Sequence, residues 1–174
     1  MTDTIIDYIT GEKVGNAGAE ENRQRVERFL VEKKGYSREE IRVDQPIRVI
    51  VDNQPYSSSI DLVVFCGPSP FMAIRCAAGS IGSYEREILA GARLVFDHQI
   101  PFSVSTDGND ALIRNVITGK TAGQGMEAIP SRLDAESALS SLVPESFPDN
   151  KKEREMIIFR SFTMDRQHKP LSVQ

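Results

Sequence analysis

The chain predicts an α/β fold with a mixed central sheet and flanking helices. Three observations lead there: a helical-period segment ahead of any strand, three strand-like runs in succession with the middle one apolar almost throughout, and a second helical segment that returns the chain to a further strand. The 174 residues fit one domain with short trimmings. Apolar residues at 40% and charged residues at 26% match ordinary globular usage, which excludes a disordered or fibrous chain.

The first helix is expected over 20–34, where Val26, Phe29 and Leu30 fall three and four apart and Gly35 stands where a left-handed C-terminal residue is wanted. Ser37 and Glu40 have capping-box spacing and open one short turn. A strand over 46–51 follows, rich in β-branched residues, and Asp52-Asn53-Gln54-Pro55 turns the chain. Residues 59–66 contain Ile60, Leu62, Val63, Val64 and Phe65, a run that suits a central strand covered on both faces. The breaker cluster Gly67-Pro68-Ser69-Pro70 then joins it to an antiparallel strand over 71–76.

Gly79, Gly82 and Ser83 precede a second helix marked by Ile88, Leu89, Ala92, Val95 and Phe96. The strand at 102–105 is reached through that helix, so a right-handed crossover makes it parallel to the strand before. Asp107 to Asp110 turn the chain into a strand over 112–117, and 118–124 read as a loop. Helices are expected over 134–142 and 150–162, the latter opened by Asn150 with Glu153 three residues on. The division is a core over 1–130, accessory helices over 131–167 and a flexible tail over 168–174.

A net charge of −4 argues against an electrostatically driven nucleic-acid coat protein, while leaving room for a local basic groove. Cys66 and Cys76 are too few for a disulfide scaffold, lie at opposite ends of the expected hairpin and read as buried fillers. A reducing cytoplasm is the expected compartment. The first ten residues lack the basic and apolar regions of a signal peptide, and no stretch approaches the roughly 20 apolar residues that span a bilayer.

Several motifs are weak. Gly119-Lys120-Thr121 resembles the end of a phosphate-binding loop, but the earlier glycine falls on Arg114. Ala78-Gly79-Ser80-Ile81-Gly82 is close to a nucleophile elbow, yet its histidine base would have to be His98 at a helix end or His168 in the tail. The basic residues Lys151, Lys152, Arg154, Arg160, Arg166 and Lys169 alternate with Glu153, Glu155 and Asp165, as on a solvated helix face.

The strongest constellation is Glu20, Asp61 and Arg75-Cys76-Ala77. Asp61 interrupts an apolar strand, where a carboxylate is costly unless a cation or several donors meet it. A hairpin loop of Gly67-Pro68-Ser69 pairs residue 66 with 70 and sets Asp61 across from Arg75. From Ala19 to Gly108 the chain resembles the nuclease-type N-terminal domain of type I restriction enzyme R subunits. The resemblance is carried, in order, by Glu20, Arg23-Gln24, Gly35-Tyr36, Ile60-Asp61-Leu62-Val63-Val64 and Thr106-Asp107-Gly108.

That resemblance implies the restriction-endonuclease-like αβββαβ core. It also implies a PD-(D/E)XK site in which a helical glutamate, a strand aspartate and an E-x-K hold Mg²⁺ and activate water. Glu20 and Asp61 match the first two. The E-x-K positions fall on Arg75 and Ala77, and the glutamine and tyrosine usual on the second helix have only Glu87 and Gly91 nearby. An arginine in place of a ligand carboxylate repels a divalent ion and neutralises Asp61, and Glu20 as well if its fork reaches that far.

The expectation is therefore a vestigial site at Glu20 and Asp61, with no cofactor, in a domain that binds nucleic acid or a protein partner. DNA, restriction–modification subunits or a second copy of the chain are the partners in view, without a membrane. The competing expectations are an active Mg²⁺-dependent DNA endonuclease, its site completed by Glu85 or Glu87, and a structural or oligomerising module.

Overall fold

The computed structural model describes residues 3–167. The expected flexible tail over 168–174, with His168 and Lys169, lies outside the described residues. A two-stranded hairpin, β1 (Thr4–Ile6) and β2 (Lys13–Gly15), leads into α1 (Glu20–Glu32). Then come β3 (Ile41–Val51), β4 (Gln54–Cys66), β5 (Ser69–Cys76), α2 (Glu85–Leu94), β6 (Phe102–Thr106), β7 (Ala111–Asn115) and β8 (Thr121–Gln124). Helices α3 (Arg132–Leu139) and α4 (Asp149–Gln167) complete the order.

The large sheet runs β3-β4-β5-β6-β7-β8. Its β5–β6 pair, joined through α2, is parallel and every other pair is antiparallel. This is the mixed sheet that the pattern predicts, and α1-β3-β4-β5-α2-β6 is the expected αβββαβ order. Two apolar clusters flank it. Val26, Leu30, Leu62, Val64, Ile74 and Val104 pack with Ala135 of α3, and Ile60, Val63, Ala73, Ile88 and Leu89 pack with Phe159 of α4.

The β4–β5 register explains how the site forms. Cys66 pairs with Ser69 across a two-residue Gly67-Pro68 turn, not with Pro70 as expected. The register then shifts at Val64/Phe65, where Phe71 is the extra residue, and Val64 pairs with Met72 and Leu62 with Ile74. The bulge compensates for the shorter turn, so one further step still sets Asp61 across from Arg75.

Several boundaries differ from the sequence reading. The Asp52-Asn53 turn needs only two residues because both adopt left-handed backbone, φ 52° and 62°, so Gln54 and Pro55 already belong to β4. Residues 118–124 are not all loop. Thr121–Gln124 pair with β7 as an edge strand whose residues, Thr-Ala-Gly-Gln, carry no apolar alternation of their own. The second helix stops at Leu94, α3 starts earlier on a Ser131–Asp134 capping box, and α4 begins at Asp149 so that Asn150 is inside it. No described helix is long and apolar enough to cross a membrane.

Helix α4 crosses α2 at Gly91, where an added Cβ would meet Ile60 Cδ1 at 3.4 Å and Phe159 Cε2 at 3.5 Å. A methyl group fits that space and a branched side chain does not. Gly91→Val is expected to lower stability by about 1–3 kcal/mol through overpacking, while Gly91→Ala stays near neutral. Urea unfolding of the two variants checks this contrast.

Candidate functional site

Arg75 is the centre of the site. It lies on β5, is 4% exposed, and its guanidinium divides between the neighbouring strand β4 and helix α2. Nη1 donates to Asp61 Oδ1 on β4 at 2.8 Å, while Nη2 donates to Glu87 Oε1 on α2 at 2.7 Å and to the Ser59 carbonyl at 3.0 Å. The second oxygen of Asp61 accepts the Cys76 amide at 2.7 Å. Burial pulls the Arg75 pKa down, but Asp61 and then Glu87 outweigh it, so the guanidinium is held above its ordinary value. These short contacts offset the cost of desolvating the charges, with the buried Arg75 Nε left without a hydrogen-bond partner among the described residues.

A second cluster stands at the N-terminal end of α1. Arg23 donates Nε to Glu20 Oε1 at 2.9 Å and Nη1 to Asp44 Oδ1 at 2.8 Å, and Gln24 Nε2 bridges Glu20 Oε1 and Asp7 Oδ2 at 3.0 Å each. Glu20 is thus neutralised by Arg23, its neighbour one helical turn on, and not by Arg75 as its reach had suggested. Below it on α1, Glu27 is fully buried and neither of its oxygens has a hydrogen-bond partner among the described residues. Burial first, and then the charge of Asp7, push its pKa up to about 8.

The two clusters share one cleft of 470 Å³, lined by Glu20, Arg23, Asp44, Asp61 and, from the N-terminal hairpin, Val14 and Gly15. The fold therefore brings Glu20 and Asp61 to one cleft, as the family resemblance implies. The carboxyl groups of Glu20, Asp44 and Asp61 line the cleft with the guanidinium of Arg23, while Arg75 and Glu87 pair behind Asp61. Ala77 is buried and supplies only backbone: its N–H donates to Thr106 at 2.7 Å and its carbonyl accepts Asn22 Nδ2 at 2.8 Å. Neither helical candidate is left over, because Glu87 is bound by Arg75 and Glu85 by Arg114 Nε at 2.7 Å.

The remaining motifs separate in space. Ser80 occupies the N-cap position of a short 3₁₀ turn, whereas His98 lies exposed beyond the end of α2 and lines a different, mainly apolar cleft with Phe96, Ile117 and Val143. Gly119 and Lys120 lie in the β7–β8 turn and Thr121 opens β8, so a strand and not a helix follows. Both cysteines are free and buried, as expected of fillers. Lys151 and Arg154 are exposed on α4, but Glu155 is not part of a solvated face. Its carboxylate takes a two-pronged contact from Arg86 at 2.6 and 2.8 Å and a third bond from Arg93 at 3.1 Å.

Removing the shared cation exposes the cost of what it holds. Arg75→Met should destabilise the domain by about 3–5 kcal/mol, because two carboxylates lose their counter-charge. Adding Asp61→Asn and Glu87→Gln to that variant should restore most of the loss, and urea unfolding of the single and triple variants measures both steps.

Residues 18–130 match the family model described as type I restriction enzyme R protein N terminus (HSDR_N). No curated protein matches the chain, and no solved structure does. The matched span runs from the start of α1 through β8, so it contains Glu20, Asp61, Arg75 and Glu87 together with the sheet that positions them. On the strength of that match, the chain belongs to the family of type I restriction enzyme R protein N-terminal domains.

Proposed function

We propose that this domain is a member of its family that binds without cutting, its nuclease-type site closed by a buried arginine. One observation carries it: the guanidinium of Arg75 sits at 2.8 Å from Asp61 and 2.7 Å from Glu87, on the strand position where the family resemblance places a ligand carboxylate. The residues present do not fit a hard divalent cation. Asp61 already faces a fixed positive group, Glu20 faces another, and the lysine position is the buried Ala77. The planar fork takes over the charge neutralisation that a metal gives such a site, but it has no open coordination position and no bound water to activate.

The family points to DNA or restriction–modification subunits as partners. The charge of the cleft favours a basic group of a protein there over a phosphate. A DNA partner is supported at another place, where the exposed Arg28 and Arg38 stack on the ring of Tyr8 at 4.6 and 4.3 Å. A salt series with short duplex and single-stranded DNA separates the two, since phosphate contacts give a steep salt dependence.

Isothermal titration with Mg²⁺ and Mn²⁺ should show no binding at the cleft, and plasmid DNA should stay intact with either ion. Metal-dependent cleavage by the parent protein that disappears in Asp61→Ala would overturn the proposal. The double variant Arg75→Glu/Ala77→Lys should instead be stabilised by Mn²⁺, read as a rise in melting temperature that the parent lacks.

A further inference from the structure

The N-terminal hairpin is attached to the domain through titratable side chains. Asp7, in the β1–β2 connection, is 1% exposed, and its Oδ1 accepts the amides of Ile9 and Thr10 at 3.0 and 2.8 Å. Its Oδ2 takes the Gln24 amide, and Gln24 Oε1 in turn accepts the Tyr8 N–H at 2.6 Å. Beside it stands the buried Glu27, which shares Arg23 with Asp7 at 3.9 and 3.6 Å and whose two oxygens have no hydrogen-bond partner among the described residues. The hairpin also lends Val14 and Gly15 to the wall of the cleft, and Gly18, with φ 62° and nothing within 4 Å of an added Cβ, joins it to α1, with the Asn16 side chain bonded across it to Glu21 at 3.0 Å.

We infer that the hairpin is a lid over the acidic cleft, latched to α1 by a proton held between the carboxyl groups of Glu27 and Asp7. Two carboxylates enclosed together oppose each other's charge, and the cation in reach among the described residues serves Glu27 only weakly. Arg23 lies 3.9 Å from it while making shorter contacts with Glu20 and Asp44. From β5 the facing ionisable group is the Cys76 thiol, which burial and then Asp61 hold well above its ordinary pKa, so it stays neutral. From the hairpin, the Ile9 amide is the remaining donor near Glu27. A proton on Glu27 supplies a donor to Asp7 and removes the repulsion in one step.

The sign follows from linkage. In the open state Glu27 returns to the ordinary value of 4.5, and in the closed state it lies at about 8, so closure takes up a proton between those limits. The latch is at full strength below about pH 4.5, weakens as pH rises, and is lost above about pH 8. The lid concerns the cleft whether or not it binds a metal or a partner, and the experiment is therefore run in chelator, which keeps it independent of the proposal for Arg75.

Hydrogen exchange of the segment 4–16, normalised to the unfolded chain, is followed from pH 5 to 9. Protection should fall by about tenfold per pH unit up to about pH 8 and then level off. In Glu27→Gln, which keeps size and a donor but cannot ionise, the protection should be flat. A flat profile in the parent, or an unchanged slope in Glu27→Gln, overturns the latch. If that variant does not fold, a carbon-13 NMR titration of the parent decides: a Glu27 midpoint near 8 with the Tyr8 amide moving in step supports the latch, and a midpoint near 4.5 rejects it.

Discussion

A guanidinium buried to 4% exposure fixes its surroundings, because it needs counter-charge from more than one direction. Arg75 draws Asp61 from β4 and Glu87 from α2, and so sets the β4–β5 register and the rotation of the crossover helix together. A one-residue slip of β5 would turn the guanidinium to the other face and carry the Cys76 amide away from Asp61 with it. The bulge at Phe71 belongs to the same constraint, since without it the Gly67-Pro68 turn would bring Asp61 opposite Ile74. Local turn chemistry and the buried pair are reconciled by one extra residue.

The same electrostatics extends to the C-terminal helix. Arg86 and Glu87 are neighbours on α2, one facing α4 through Glu155 and the other facing the sheet through Arg75. Burial alone would raise the pKa of Glu155, but the bonds from Arg86, and then the Arg86 and Arg93 charges, hold it below the ordinary range. Helix α4 is thus anchored by a charged latch above the apolar contact of Phe159 with Gly91. The latch also fixes the helix that carries Glu87, so α4 supports the site without touching the cleft.

The sequence made some of this legible and hid the rest for identifiable reasons. Asp61 and Arg75 could be paired because a charge inside an apolar strand demands a partner, and strand spacing limits where one can stand. The register came out right although the turn was read one residue too long, because the bulge was equally invisible. Glu87 could be placed near the site by spacing but not matched to Arg75, since that contact depends on how the crossover packs. Arg23 entered the sequence reading only within the Arg23-Gln24 of the family resemblance; its contacts with Glu20 and with the Asp44 carboxylate on β3 reveal it as the cation of Glu20. The strands β1, β2 and β8 are three or four residues long and mostly exposed, so they carry no periodic signal and exist through their pairing.

The charges of the cleft also decide what a single added proton does. Arg75 and Arg23 each answer two carboxylates at hydrogen-bonding distance, which leaves Asp7 with amide donors and Arg23 at 3.6 Å, and Glu27 with Arg23 at 3.9 Å alone. Asp7 keeps its charge because the Thr10 and Ile9 amides and Gln24 together outweigh its burial, and its pKa is lowered. Glu27, with no donor of its own among the described residues, is neutralised instead. An apolar side chain at that position would relieve the strain of a buried acid but would give Asp7 nothing in return. The two acids are therefore complementary: one is held charged by backbone and amide donors, the other neutral by burial, and the difference between them ties the N-terminal hairpin to the helix that carries Glu20.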